Sequence, residues 1–115
     1  MLKLNPKPTF DADVKITVPG QSEAGTMKLT FRYLPKAESR ALMKRLVEEK
    51  DENGDVVQKA ITEDELVSEI VVGWKGIDAE FNAENLLTFL NNYPASAWDI
   101  INAYSHLVHE SRVKN

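Results

Sequence analysis

Two histidines, His106 and His109, stand three residues apart with Glu110 beside them. On a helix, positions i and i+3 share a face, so both imidazoles could reach one metal ion. Zinc-binding helices read H-E-x-x-H or, inverted, H-x-x-E-H, with the glutamate set to act as a base. The order here is H-x-x-H-E, which matches neither. The chain has no cysteine, so no thiolate can complete the ligand set. The plainer reading is a pair of surface imidazoles at the negative end of a helix, where positive charge is favoured.

Residues 49–60, EKDENGDVVQKA, imitate a calcium loop. Aligning Gly54 with the obligatory sixth-position glycine places Glu49 first, Asp51 third and Asn53 fifth. The ninth position is then Val57, and the twelfth is Ala60 where a bidentate glutamate belongs. Without its strongest oxygens the segment reads as a charged turn. Asn53-Gly54 favours a tight type I′ turn, the tip of a small hairpin.

A third pair, Asp78 and Glu80, flanks one alanine close to Trp74. General acid–base work needs burial or a charged partner to separate two carboxylate pKa values, and the sequence shows neither. Acidic residues just ahead of a helix are better explained by its dipole. Phosphate-binding glycine loops and nucleophile elbows are absent. No catalytic, cofactor-binding or metal-ligating residue is assigned, and the chain is expected not to be an enzyme.

The elements that position these residues follow from periodicity. Val14, Ile16 and Val18 alternate with Lys15 and Thr17, and Pro19-Gly20 ends the run. Alternation resumes through Met27, Leu29, Phe31 and Tyr33. Two period-two runs joined by a polar loop predict an antiparallel hairpin over about residues 13–34, with one wet face. Pro6 and Pro8 make the preceding residues an extended lead-in. Pro35 can open a helix over residues 36–49, with Ala41, Leu42, Leu46 and Val47 as its stripe.

Thr62 and Glu65 form a capping box, T-x-x-E, and Leu66, Val67, Ile70, Val71 and Trp74 follow at helical spacing. Gly73 and Gly76 then stop that helix. Asn82 or Asn85 caps the next one, which Asn91-Asn92-Tyr93-Pro94 breaks. Ser96 caps the last, carrying Trp98, Ile101, Tyr104, Leu107 and Val108 on or near one side. The prediction is a single α+β domain over residues 1–115, an N-terminal β-hairpin followed by about four α-helices over residues 36–112.

At 115 residues and a net charge of −4, the chain lacks the clustered basic surface that phosphate contacts require, so nucleic acid is not an expected partner. No apolar run approaches the roughly 20 residues of a membrane span. The segment MLKLNPKPTF is too short and polar for a secretion signal, which makes the cytoplasm the default compartment. What remains is aromatic surface. Trp74, Phe81, Phe89, Tyr93, Trp98 and Tyr104 crowd the second half of the chain. Most are expected in the core. Trp74, Tyr93, Trp98 and Tyr104 are the candidates for a groove that takes a partner helix or extended segment.

The stretch EIVVGWKGIDAEFNAENLLTFLNNYPASAWDIINAY, preceded by a hairpin with V-x-I-x-V-P-G and a charged helix, resembles the tail assembly chaperones of long-tailed bacteriophages and prophages. Its core is I-V-x-G-W-x-G-[IV]-D, a Leu-rich helix, Y-P and a helix ending near Tyr104, and the clearest match covers residues 66–104. The resemblance implies a protein that binds the long, helical tape measure protein in the host cytoplasm, keeps it soluble and helps recruit tail tube subunits. It implies absence from the finished tail and brings no catalytic residues. Self-association stays open.

In many phages a programmed frameshift makes a longer minor product, so this chain would be the short form. Val113-Lys114-Asn115 is compatible with slippery codons there. The alternatives are a structural tail component, a generic interaction adaptor, or a small metal protein using His106 and His109.

Overall fold

The computed structural model describes residues 1–110; Val113-Lys114-Asn115 lie outside them. Thr9–Ile16 (β1) and Gly25–Arg32 (β2) form the expected N-terminal hairpin, paired antiparallel from Thr9 opposite Arg32 to Ile16 opposite Gly25. The strand begins at Thr9, four residues before the predicted hairpin start at residue 13. Phe10 and Ala12 continue the inner face, and the Tyr33 N–H donates to the Pro8 carbonyl at 2.8 Å, so pairing reaches past the strand ends. Ala12, Val14, Ile16, Met27, Leu29 and Phe31 are buried on one face. On the other face, the Thr30 hydroxyl donates to Asp11 Oδ1 across the strands at 2.7 Å.

Four helices follow, as expected, but three further strands lie among them. Lys36–Lys44 (α1) starts after Pro35 and is shorter than the 36–49 predicted. The N–H groups of Arg45, Leu46 and Val47 bond the carbonyls three residues back, which tightens the last turn and releases the chain. Glu49–Lys50 (β3) and Val56–Gln58 (β4) then pair as a separate small hairpin. Its turn is not type I′. That type needs positive φ at two central residues, whereas Gly54 (φ 84°) is left-handed and no non-glycine residue is. The Gly54 N–H donates to the Asp51 carbonyl, and Asp51 Oδ1 accepts from the Asn53 and Asp55 N–H groups at 2.9 and 3.0 Å.

Glu63–Ile70 (α2) carries the predicted capping box, with Thr62 Oγ1 accepting from the Glu65 N–H at 3.1 Å. Here the largest difference appears. The helix stops at Ile70, and Val71–Lys75 (β5) runs as a third strand on the free edge of β2. The sheet order is β1-β2-β5, all antiparallel. Two adjacent valines suit a pleated strand, and the open edge of β2 supplies the ladder partners. Gly73 is thus a strand residue opposite Thr30 and not a helix stop. Gly76 (φ 85°) lies just past the strand end, where the chain turns.

Ala83–Asn92 (α3) is capped by Asn82, whose Oδ1 accepts from the Asn85 N–H at 2.8 Å. Ser96–His109 (α4) follows Tyr93-Pro94. Ser96 is its first helical residue, buried, and not a capping side chain; Ala95 occupies the cap position without a side-chain bond. The helices close over the inner face of the sheet. Leu66, Val67 and Ile70 of α2, Leu86 and Leu90 of α3, and Ala97, Ile100, Ile101 and Tyr104 of α4 complete one buried cluster with the strands. Asp99 ties α4 to the end of β1 by accepting the Thr17 N–H at 2.8 Å.

Candidate functional site

Trp74 pairs with Leu29, whose side chain is fully buried, so the indole points to the helix-covered side of the sheet. It sits on an edge strand, so one side of the ring stays uncovered and the residue is half-buried. The helical stripe from Leu66 to Trp74 is therefore interrupted; Trp74 reaches the helices across the sheet edge. Its Nε1–H donates to the Ala79 carbonyl at 2.9 Å, which fastens the loop after Gly76 against the ring. Phe81 meets it edge-on, with centroids 5.2 Å apart and planes at 87°.

On the other wall stands α3. Phe89 lies 5.9 Å from Trp74, and Tyr93 stacks on Phe89 at 4.6 Å with planes 26° apart. All three rings are half-buried. Between strand end, loop and helix lies a groove of about 420 Å³, floored by Trp74, Ile77, Phe89 and Tyr93 and rimmed by Asp78 and Asn85. A second hollow of about 170 Å³ shares Gly76, Ile77, Phe89 and Tyr93 with it and extends to Ile16 and Val18 at the hairpin end. The rings are held by the loop bond, by helix packing and by one another, so the groove exists before anything enters it.

The four aromatic candidates separate. Trp74 and Tyr93 line this groove together. Trp98 is exposed on the first turn of α4 and is not among the groove's lining residues. Tyr104 leaves the candidate set: its side chain is fully buried against Phe31 and Phe10, at centroid distances of 5.2 and 6.1 Å. Its hydroxyl donates to the Arg32 carbonyl and accepts the Leu34 N–H, and burial pushes the phenol's pKa up. Sequence reasoning left Phe89 and Ile77 out of the site. Phe89 has the spacing of a core residue, and Ile77 joins only because β5 turns back at Gly76.

The other candidates do not assemble into a site. His106 Nδ1 lies 2.7 Å from Glu110 Oε2, an exposed i, i+4 contact. Among the described residues no group of three or more His, Cys, Asp or Glu could hold a metal ion. Asp51 spends its carboxylate on its own turn. Asp78 rims the groove, while Glu80 contributes its backbone carbonyl to Asn85 Nδ2 at 2.8 Å.

Fold and site together define a small α+β domain with an open aromatic groove at the edge of its sheet. A family model described as phage tail assembly chaperone matches residues 1–115, and the chain belongs to that family. No curated protein and no solved structure matches it.

Proposed function

We propose that this chaperone holds an amphipathic helical segment of the tape measure protein in the Trp74–Phe89–Tyr93 groove. The groove keeps that protein soluble until tail tube subunits displace it. The observation that carries the reading is the preformed, half-exposed aromatic floor: three rings fixed in place and uncovered on one side. Apolar faces of amphipathic helices are recognised by such grooves. Tyr and Trp suit reversible anchoring because they bury much area at small entropic cost. Many modest contacts along one long partner give avidity without any tight single site. Binding takes place in the host cytoplasm, and the protein is left out of the finished tail.

The test is co-expression and pull-down with the tape measure protein of the same phage or prophage. A complex that weakens when Phe89 and Tyr93 are replaced by Ser is the expected result. Clean failure to recover a complex with soluble, intact partner sinks the proposal. Mass spectrometry of purified particles separates chaperone from structural component, since a permanent tail protein persists there.

A further inference from the structure

The Trp74 groove carries a single formal charge. Of the residues that line it, Asp78 alone is charged, and the adjoining hollow toward Ile16 and Val18 has no charged lining residue. Several of the lining donors are already engaged within the chain. The Trp74 Nε1–H goes to the Ala79 carbonyl, Asn85 Nδ2 to the Glu80 carbonyl and the Thr88 hydroxyl to the Glu84 carbonyl. Asn92 and Tyr93 also line the groove, but they are neutral and can accept as well as donate. An ionised carboxylate only accepts, and Asp78 forms no ion pair among the described residues. The groove thus offers a full negative charge and no cation to match it.

That charge stands next to an aromatic ring. The Ala79 carbonyl is 2.9 Å from Trp74 Nε1, so its chain neighbour Asp78 is held beside the indole. The ring is half-buried and uncovered on one side. An open indole attracts a cation through its quadrupole, and a nearby carboxylate adds a charge-assisted hydrogen bond. Arginine suits the pair best, because a guanidinium can lie flat on the ring while its N–H groups face the carboxylate. An acidic side chain at the same place would meet Asp78 with no cation in the lining to offset the repulsion.

We infer that the groove selects its occupant by charge as well as by apolar shape. It takes amphipathic helical segments with an arginine or lysine beside the apolar row, seats that cation on Trp74 against Asp78, and rejects segments with an acidic residue there. On the bound helix the cation stands three or four residues from an apolar anchor, which rests on Phe89 and Tyr93. This builds on the reading of the groove as the tape measure site and adds which helical stretches of that protein can dock.

Three synthetic amphipathic helical peptides test it by isothermal titration against the intact protein. They share one leucine row and carry Arg, Gln or Glu along both of its edges. The Arg peptide should bind about fivefold or more tighter than the Gln peptide, and the Glu peptide should bind weakest. Raising the salt should narrow that spread. Asp78→Asn, which keeps the side chain's shape, should remove most of the difference between Arg and Gln. Asp78→Lys should make the Glu peptide the preferred one. Circular dichroism checks that both variants keep the fold. Equal binding of the three peptides, or a ranking that neither Asp78 variant moves, overturns the inference and leaves the groove reading standing. Failure of all three peptides to bind overturns the groove reading, and the inference with it.

Discussion

The hydroxyl of Tyr104 donates to the carbonyl of Arg32 at 2.8 Å, 72 residues away along the chain. The same oxygen accepts the Leu34 N–H at 3.1 Å. One phenol therefore satisfies both backbone groups where β2 ends and the chain turns toward α1. Removing the hydroxyl while keeping the ring isolates that function. Tyr104→Phe is expected to cost about 1–3 kcal/mol, because two part-buried backbone groups lose their partner. Urea denaturation at neutral pH measures it, and partner binding should be unaffected.

The same phenol sets a pH dependence. Burial raises its pKa above the ordinary 10.0. Above that pH the unfolded chain has released the proton while the folded one still holds it. The folded state then binds more protons, and stability falls as pH rises. Tyr104's contribution is fully present below about pH 10 and is lost as pH climbs through its raised folded value. Urea midpoints at increasing alkaline pH should drop further for the wild type than for Tyr104→Phe. Parallel curves would refute the assignment.

Trp74 joins stability and binding in one residue. It is half-buried, so Trp74→Ala is expected to cost about 2–3 kcal/mol, less than the 3–5 of a fully enclosed large aromatic. Trp74→Phe keeps much of the ring and drops the bond to the Ala79 carbonyl. It should cost about 1 kcal/mol and loosen the loop, visible as faster amide exchange over residues 76–80.

The hairpin and the capping box were legible because their signals are local. Alternation over Val14 to Val18 and Met27 to Tyr33, and the pair Thr62 and Glu65, need no knowledge of distant residues. β5 was not legible. Leu66, Val67, Ile70, Val71 and Trp74 satisfy helical spacing, and only the vacant edge of β2 makes Val71–Lys75 a strand. The groove inherits that ambiguity: two of its aromatic residues were readable as candidates, but its shape depends on a strand that long-range pairing decides. Tyr104 failed as a surface candidate because a tyrosine's hydroxyl can be satisfied by backbone deep inside.

Two glycines three residues apart should respond with opposite sign. At Gly73 a new Cβ would meet the Thr30 side chain at 3.5 Å, an ordinary contact, and the backbone is not left-handed. Gly73→Ala is expected to be neutral or to stabilise by up to about 1 kcal/mol through the unfolded chain. Gly76 has open space around it but a φ of 85°. Gly76→Ala should cost about 1–2 kcal/mol from backbone strain. Thermal melts of the two variants side by side check the contrast.

Thr62→Ala tests the start of α2. It removes the oxygen that accepts the Glu65 N–H, and the reciprocal contact from Glu65 Oε1 to the Thr62 N–H loses its companion. About 1 kcal/mol of stability should go. Thr62→Ser, which keeps the oxygen, should lose less than half of that in the same urea titration.

Tyr93 and Trp98 separate groove from surface. Both are aromatic and at least partly open to solvent, but only Tyr93 lines the groove, stacked on Phe89. Tyr93→Ala removes a stacking contact of about 0.5–1.5 kcal/mol, so the fold should survive with a modest loss. Its affinity for a tape measure segment should fall about tenfold or more, the loss of one aromatic anchor. Trp98→Ala, outside the groove, should change that affinity less than about twofold. Isothermal titration with a soluble tape measure fragment measures both. A larger loss from Trp98 than from Tyr93 would move the binding surface to the first turn of α4 and refute the groove.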